Sequence, residues 1–262
     1  MSARRPPVVL VAPAALGALV VIVPLAALVQ RAPWDEVGRQ LGSDAARDAL
    51  RLSLLTSTAA TVIAMVVGVP LAWVLARVAF PGRTVVRAVV TLPMVLPPVA
   101  GGVALLLAFG RRGLVGGWLD DTFGITLPFT TAGVVLAQTF VALPFLVLAV
   151  ESGFRGLDGR LEDAAATLGA RPLHVFRRVT LPLVAPAVAA GAALCWARAL
   201  GEFGATITFA GNFRGVTQTM PSAVFLELES GNPDGAVALS LVLLAVSLAI
   251  LLALRGRLLG AR

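Results

Sequence analysis

"EDAAATLGARPLHVFRRVTLP" fills residues 162–182, a compact charged stretch set between long apolar runs. Its surroundings make it conspicuous. The 262 residues are 58% hydrophobic and 13% charged, against roughly 25% charged in a soluble domain, and the mean hydropathy is +0.92. Upstream and within the stretch, Leu157, Leu161, Ala164, Ala165 and Leu168 recur at the spacing of one helical face, with Asp158, Glu162 and Asp163 elsewhere on the wheel. Gly169 is placed to end that helix at positive φ. Pro172 is placed to open a second short helix, with Leu173, Phe176 and Val175 or Val179 facing one way and Arg177 and Arg178 another. Pro182 then marks entry into the next apolar run. The pattern predicts a helix, a glycine corner and a second helix. On pattern alone this is either a lid over the chain's own loops or a docking element.

The apolar runs predict an all-α integral membrane protein, since each crossing needs about 18 or more such residues with backbone bonds satisfied internally. Six are expected, at 8–29, 52–76, 86–110, 131–150, 183–209 and 236–254. The first exceeds the apolar core of a secretory signal and is read as a retained helix. With alternate loops inside, Arg4, Arg5, Arg77, Arg83, Arg87, Arg155, Arg160, Arg171, Arg177, Arg178, Arg255, Arg257 and Arg262 share one side. Arg31, Arg39, Arg47, Arg51, Arg111, Arg112 and Arg214 share the other. The richer side should be cytoplasmic, together with both termini.

Several function classes are excluded or disfavoured by what the chain contains. The basic surplus sits in loops beside spans, where topology and anionic lipid account for it, so nucleic-acid binding is not expected. Cys195 and His174 each stand alone, which gives no disulfide and no metal cluster. All 21 basic residues are arginine, so no Walker lysine is available to hold a nucleotide phosphate. Any ATP chemistry must belong to another subunit.

The stretch resembles the cytoplasmic signature of ABC importer permeases: E-A-A, three residues, G, nine residues, I, any residue, L-P. Here it reads Asp163-Ala164-Ala165, then Gly169, then Val179-Thr180-Leu181-Pro182, with the family's spacing and two mild replacements. The resemblance implies that Ala164, Ala165 and Gly169 allow close approach of an ATPase subunit while Leu173 and Phe176 supply apolar contact. It also implies a core permease domain at 51–254 with a coupling loop at 153–182, preceded by a first helix and outer loop at 1–50 and followed by a cytoplasmic tail at 255–262.

"ARALGEFGATITFAGN" at 197–212, "TLPMVLPPVAGGVALLLAFGRRGLVG" at 91–116 and the run 217–251 are similar to the molybdate (tungstate) branch of these permeases. Sulfate permeases share the first of these cores. Pro93, Pro97, Pro98, Gly101 and Gly102 should interrupt the third span; a packing kink is one reading and a path-lining break the other. Arg198 and Glu202 stand one turn apart and can pair, either as a fixed internal bridge or as a cation offered to an oxyanion and restrained by its partner. Gly201 and Gly204 allow another helix to come close. Thr206, Thr208 and Asn212 are candidate donors, although threonines in such helices often bond their own i−4 carbonyl. Met220-Pro221, Glu227, Glu229 and Asp234 are expected outside, where a delivery protein could dock.

The resemblance implies a homodimer in the bacterial inner membrane, in contact with lipid. It further implies two ATP-binding subunits carrying ATP and Mg, an extracytoplasmic molybdate-binding protein, and no cofactor or metal on this chain. A sulfate or thiosulfate permease is the near alternative. An ion-coupled carrier is disfavoured because Glu202 is the one acid expected within a span.

Overall fold

The computed structural model describes residues 8–259; Arg4, Arg5 and the last three residues of the expected tail lie outside them. Every described element is a helix. In chain order they are α1 (Val8–Gln30), α2 (Trp34–Gly42), α3 (Asp44–Arg77), α4 (Arg83–Val95), α5 (Pro98–Phe109), α6 (Gly116–Phe123), α7 (Thr131–Arg155), α8 (Arg160–Thr167) and α9 (Pro172–Val175). A π-turn, Phe176–Thr180, leads into α10 (Leu181–Leu200), followed by α11 (Gly204–Ala210), α12 (Met220–Glu229) and α13 (Pro233–Leu259).

The core is three long helices, α3, α7 and α10, pressed together along small residues. Ala60, Ala64 and Ala72 of α3 meet Ala142, Leu146 and Val150 of α7, while Cys195 and Ala199 of α10 close the cluster. Apolar side chains gain little by leaving lipid for protein, so close packing must hold the helices together, and small residues permit it. At Gly68 an added methyl would sit 2.9 Å from the Leu143 and Leu146 side chains. A second cluster joins α3, α12 and α13 through Ala46, Ala49, Met220, Ala223, Leu239 and Val242. By contrast α1 is exposed along its apolar window and is held mainly against α13.

One expectation, the interrupted third span, is met, and two need correction. Five helices are long and apolar enough to cross a membrane, and the sixth crossing exists only as the pair α4 and α5, bent by 119°. The expected span 86–110 is therefore broken: Pro97 and Pro98 lack amide donors, and Leu96 and Pro97 adopt extended backbone between the two helices. The expected span 183–209 ends early, at Leu200, and α11 starts anew after Gly201–Phe203. The second bracket helix is not a separate short element either, because it runs from Pro172 to Leu200 as one apolar helix. Its passage over Pro182 coincides with the π-turn, in which the Leu181 amide reaches back to the Phe176 carbonyl. The widened turn makes room for a ring that would otherwise strike the preceding turn.

Candidate functional site

The bracket is built by local rules. After α8, Gly169 takes φ +82°, its amide donates to Ala166 O, and the Ala170 amide donates to Ala165 O. These two bonds form a Schellman cap, which fixes the corner without help from the rest of the fold. Arg171 is extended, Pro172 occupies the first turn of α9, and the His174 and Val175 amides close on the Arg171 carbonyl.

The corner divides the expected residues into two groups. Asp163, Ala164, Gly169, Leu173 and Pro182 are exposed, while Ala165, Val179 and Leu181 are half-buried. Phe176, expected among the outward contacts, is half-buried and packs against Trp73 and Phe154, with ring centroids 6.0 and 6.4 Å away. The reason is that its helix is continuous with α10, which turns this face toward α3 and α7. Leu157 likewise joins the core, outside α8, whereas Leu161 is exposed and Leu168 is 89% exposed. The apolar face expected over 157–168 is thus split, and its far half presents leucine and alanine to solvent.

Beneath the bracket lie charged ties that the sequence pattern does not single out. Glu151, buried in α7, accepts from Arg87 at 2.6 Å and from Arg155 at 2.8 Å. Arg87 also donates to the Leu75 carbonyl at the end of α3. Glu162 pairs with Arg77 at 3.1 Å and accepts from the Thr180 hydroxyl at 2.6 Å.

The second cluster is the seam between the broken helices. Gly102 lies where an added methyl would meet Thr208 Cβ at 2.5 Å and Ala205 O at 3.0 Å; at Gly204 it would meet Pro98 Cβ at 2.6 Å. Pro98, Gly102 and Gly204 therefore stand together at the α5–α11 contact. Gly101 faces the Phe140 ring instead, and Pro93 lies within α4. Arg198 and Glu202 pair at 2.6 Å, and Glu202 is 1% exposed against 27% for Arg198. The other Glu202 oxygen accepts the Ala205 amide at 2.9 Å, so this carboxylate also caps the start of α11. One side chain thereby neutralises an arginine and begins a new helix.

The polar residues nearby divide as well. Thr208 bonds the Gly204 carbonyl four residues back. Thr206 Oγ1, Asn212 Oδ1 and both amide atoms of Gln138 are buried without a partner. Gln138 is a lone amide in an apolar helix, a signal the sequence offered and the spacing arguments passed over. Toward the other end, Met220 is buried and its amide donates to Ser53 Oγ, so the expected outer surface at Met220-Pro221 is reduced by a core residue. Among the described residues no three His, Cys, Asp or Glu gather to hold a metal.

Comparison with known proteins agrees with this architecture. A molybdenum transport system permease protein of Mycobacterium tuberculosis is 48% identical over 94% of this chain and 92% of that protein. A sulfate transport system permease protein of Salmonella typhimurium is 40% identical over 70% of this chain and 66% of that protein. Among solved structures, a bacterial ABC transporter involved in the import of the acidic polysaccharide alginate superposes with TM-score 0.78 at 18% identity, covering 97% of this chain and 94% of that one. Residues 68–262 match the model of the family described as binding-protein-dependent transport system inner membrane component. That match takes in both the bracket and the broken-helix seam, and the chain belongs to this family of inner-membrane transport components.

Proposed function

We propose that this chain is the membrane-spanning permease of an ATP-binding-cassette importer for molybdate, with tungstate as a second cargo. Two copies form the gate. Two ATPase subunits, which hold the ATP and Mg, dock on the brackets, and an extracytoplasmic binding protein delivers the anion from the other side. Both termini are cytoplasmic in this arrangement, a reading the arginine distribution supports.

One observation carries the reading. A capped, rigid corner presents Leu168 at 89% exposure, with Leu161, Leu173 and Ala164 also exposed, in and beside the stretch that carries the permease signature. A cluster of exposed leucines on small-residue backbone is costly in water and suited to a partner's groove. The greater identity to the molybdenum permease than to the sulfate permease favours the heavier oxyanion.

Force would pass from the ATPases to α8 and α9 and then along α10 into the seam. Pro93, Pro97, Pro98, Gly101, Gly102, Arg198, Glu202, Gly204 and Thr206 are the proposed wall of the path. Rocking α5 against α11 there would open backbone and donors to a dianion. Binding of ATP to the closed ATPase state supplies the bias.

The test is molybdate uptake by vesicles reconstituted with the chain, its neighbouring ATPase and its binding protein. ATP-dependent uptake resistant to excess sulfate is expected. Equal competition by sulfate would transfer the assignment to sulfate, and uptake by the chain alone would point to an ion-coupled carrier.

A further inference from the structure

The bracket helix α8 buries none of its residues. Its backbone bonds and caps stay within residues 157–171, and Thr167 bonds its own turn through the Asp163 carbonyl. Glycines at 156 and 159 lie in the chain that enters it, so that entry is compliant. A load applied to such a helix by a partner would be lost in part at that entry before it reached α3. Among the described residues, one side chain of α8 is hydrogen-bonded or ion-paired to the spanning helices.

That side chain is Glu162. One carboxylate oxygen lies 3.1 Å from Arg77 Nη2, on the last residue of α3. The other accepts the hydroxyl of Thr180 at 2.6 Å, from a buried residue of the π-turn that opens into α10. Arg77 Nη2 also reaches the Leu157 carbonyl at 3.4 Å, bracing the turn that leads into α8. The two oxygens thus grip two different spanning helices at their bracket ends. Glu162 precedes the motif acid Asp163 and lies about 100° around the helix from it: Asp163 is exposed, while Glu162 is part-buried.

We propose that Glu162 is the positioning residue that converts movement of the docked bracket into movement of α3 and α10, through Arg77 and Thr180. It acts within the chain and touches neither the ATPase nor the transported anion. This inference rests on the permease reading given above. It predicts uncoupling: without the carboxylate the ATPase still docks and turns over, but its stroke is absorbed at the glycines.

The experiment uses the complete reconstituted transporter with molybdate and measures three quantities: ATPase copurification, ATP hydrolysis and uptake. For Glu162→Gln, docking and hydrolysis are expected near wild type, with uptake per ATP lowered about tenfold, the size of effect a single coupling residue can carry. Thr180→Val should cause a smaller fall in the same ratio. The exchange Glu162→Arg with Arg77→Glu should recover part of the loss that either change causes alone. An unchanged ratio in both Glu162→Gln and Thr180→Val would overturn the proposal. Loss of ATPase copurification in Glu162→Gln would overturn it too, by assigning the side chain to the docking surface. A wild-type chain that fails to bind an ATPase would instead refute the permease reading.

Discussion

Removing the Glu202 carboxylate is the most demanding test of the seam, because the side chain performs two tasks at 1% exposure. In Glu202→Leu, Arg198 loses a partner at 2.6 Å and the Ala205 amide loses its acceptor at 2.9 Å. Breaking a buried pair from one side costs about 3–5 kcal/mol, and because the orphaned Arg198 keeps 27% exposure the low end, about 3 kcal/mol, applies here. Losing a helix-start acceptor adds about 1 kcal/mol. A chain of this size moves by about 2–4 °C per kcal/mol, so thermal unfolding in detergent should fall by about 10 °C. Glu202→Gln retains an acceptor for Ala205 and should recover only the smaller part. The double variant Arg198→Met with Glu202→Leu removes both charges together and should unfold above the single Glu202→Leu. Additive losses in that cycle would refute the reasoning, since they would mean the two side chains do not share a buried interaction.

Three further outcomes follow from the geometry. Gly169→Asp should leave the chain in the membrane but abolish ATPase copurification and transport; Gly169→Asn, better suited to φ +82°, should retain part of both. Gly102→Val should force α5 from α11, since even the first added carbon meets Thr208 at 2.5 Å, lowering stability by about 1–3 kcal/mol and uptake with it, as thermal unfolding and flux will report. Gln138→Leu removes an amide with no partner, which should hold or raise stability by about 1–3 kcal/mol while lowering molybdate flux if the amide serves the path; unchanged flux would assign it to packing.

The parts that sequence made legible are those set by short-range rules. Hydropathy located the long helices because lipid imposes length and apolarity on each crossing. The bracket corner was readable because a Schellman glycine and a first-turn proline act within a few residues. The i, i+4 pairing of Arg198 with Glu202 was readable for the same reason. The prolines at 97 and 98 announced an interruption, but not its 119° angle, which accompanies packing of α5 on a helix a hundred residues away. Phe176 could not be oriented from periodicity, because the π-turn carries its helix unbroken into α10 and faces it toward Trp73. Arg77 lies far up the chain from Glu162 and Thr180, and neither of those two is a fixed position of the signature, so only the fold brings the three together. The capping role of Glu202 needed the helix to stop at Leu200, which composition does not announce.

The measurement that bears most directly on the account places a thiol on the bracket. Cys195 is buried, so Leu168→Cys, at the most exposed leucine of the corner, presents a distinguishable reactive site to a membrane-impermeant maleimide. Labelling is predicted in inside-out vesicles and not in right-side-out ones, with protection when the ATPase subunit is bound. Labelling from the extracytoplasmic side, or labelling indifferent to the bound ATPase, would contradict a permease driven through this corner.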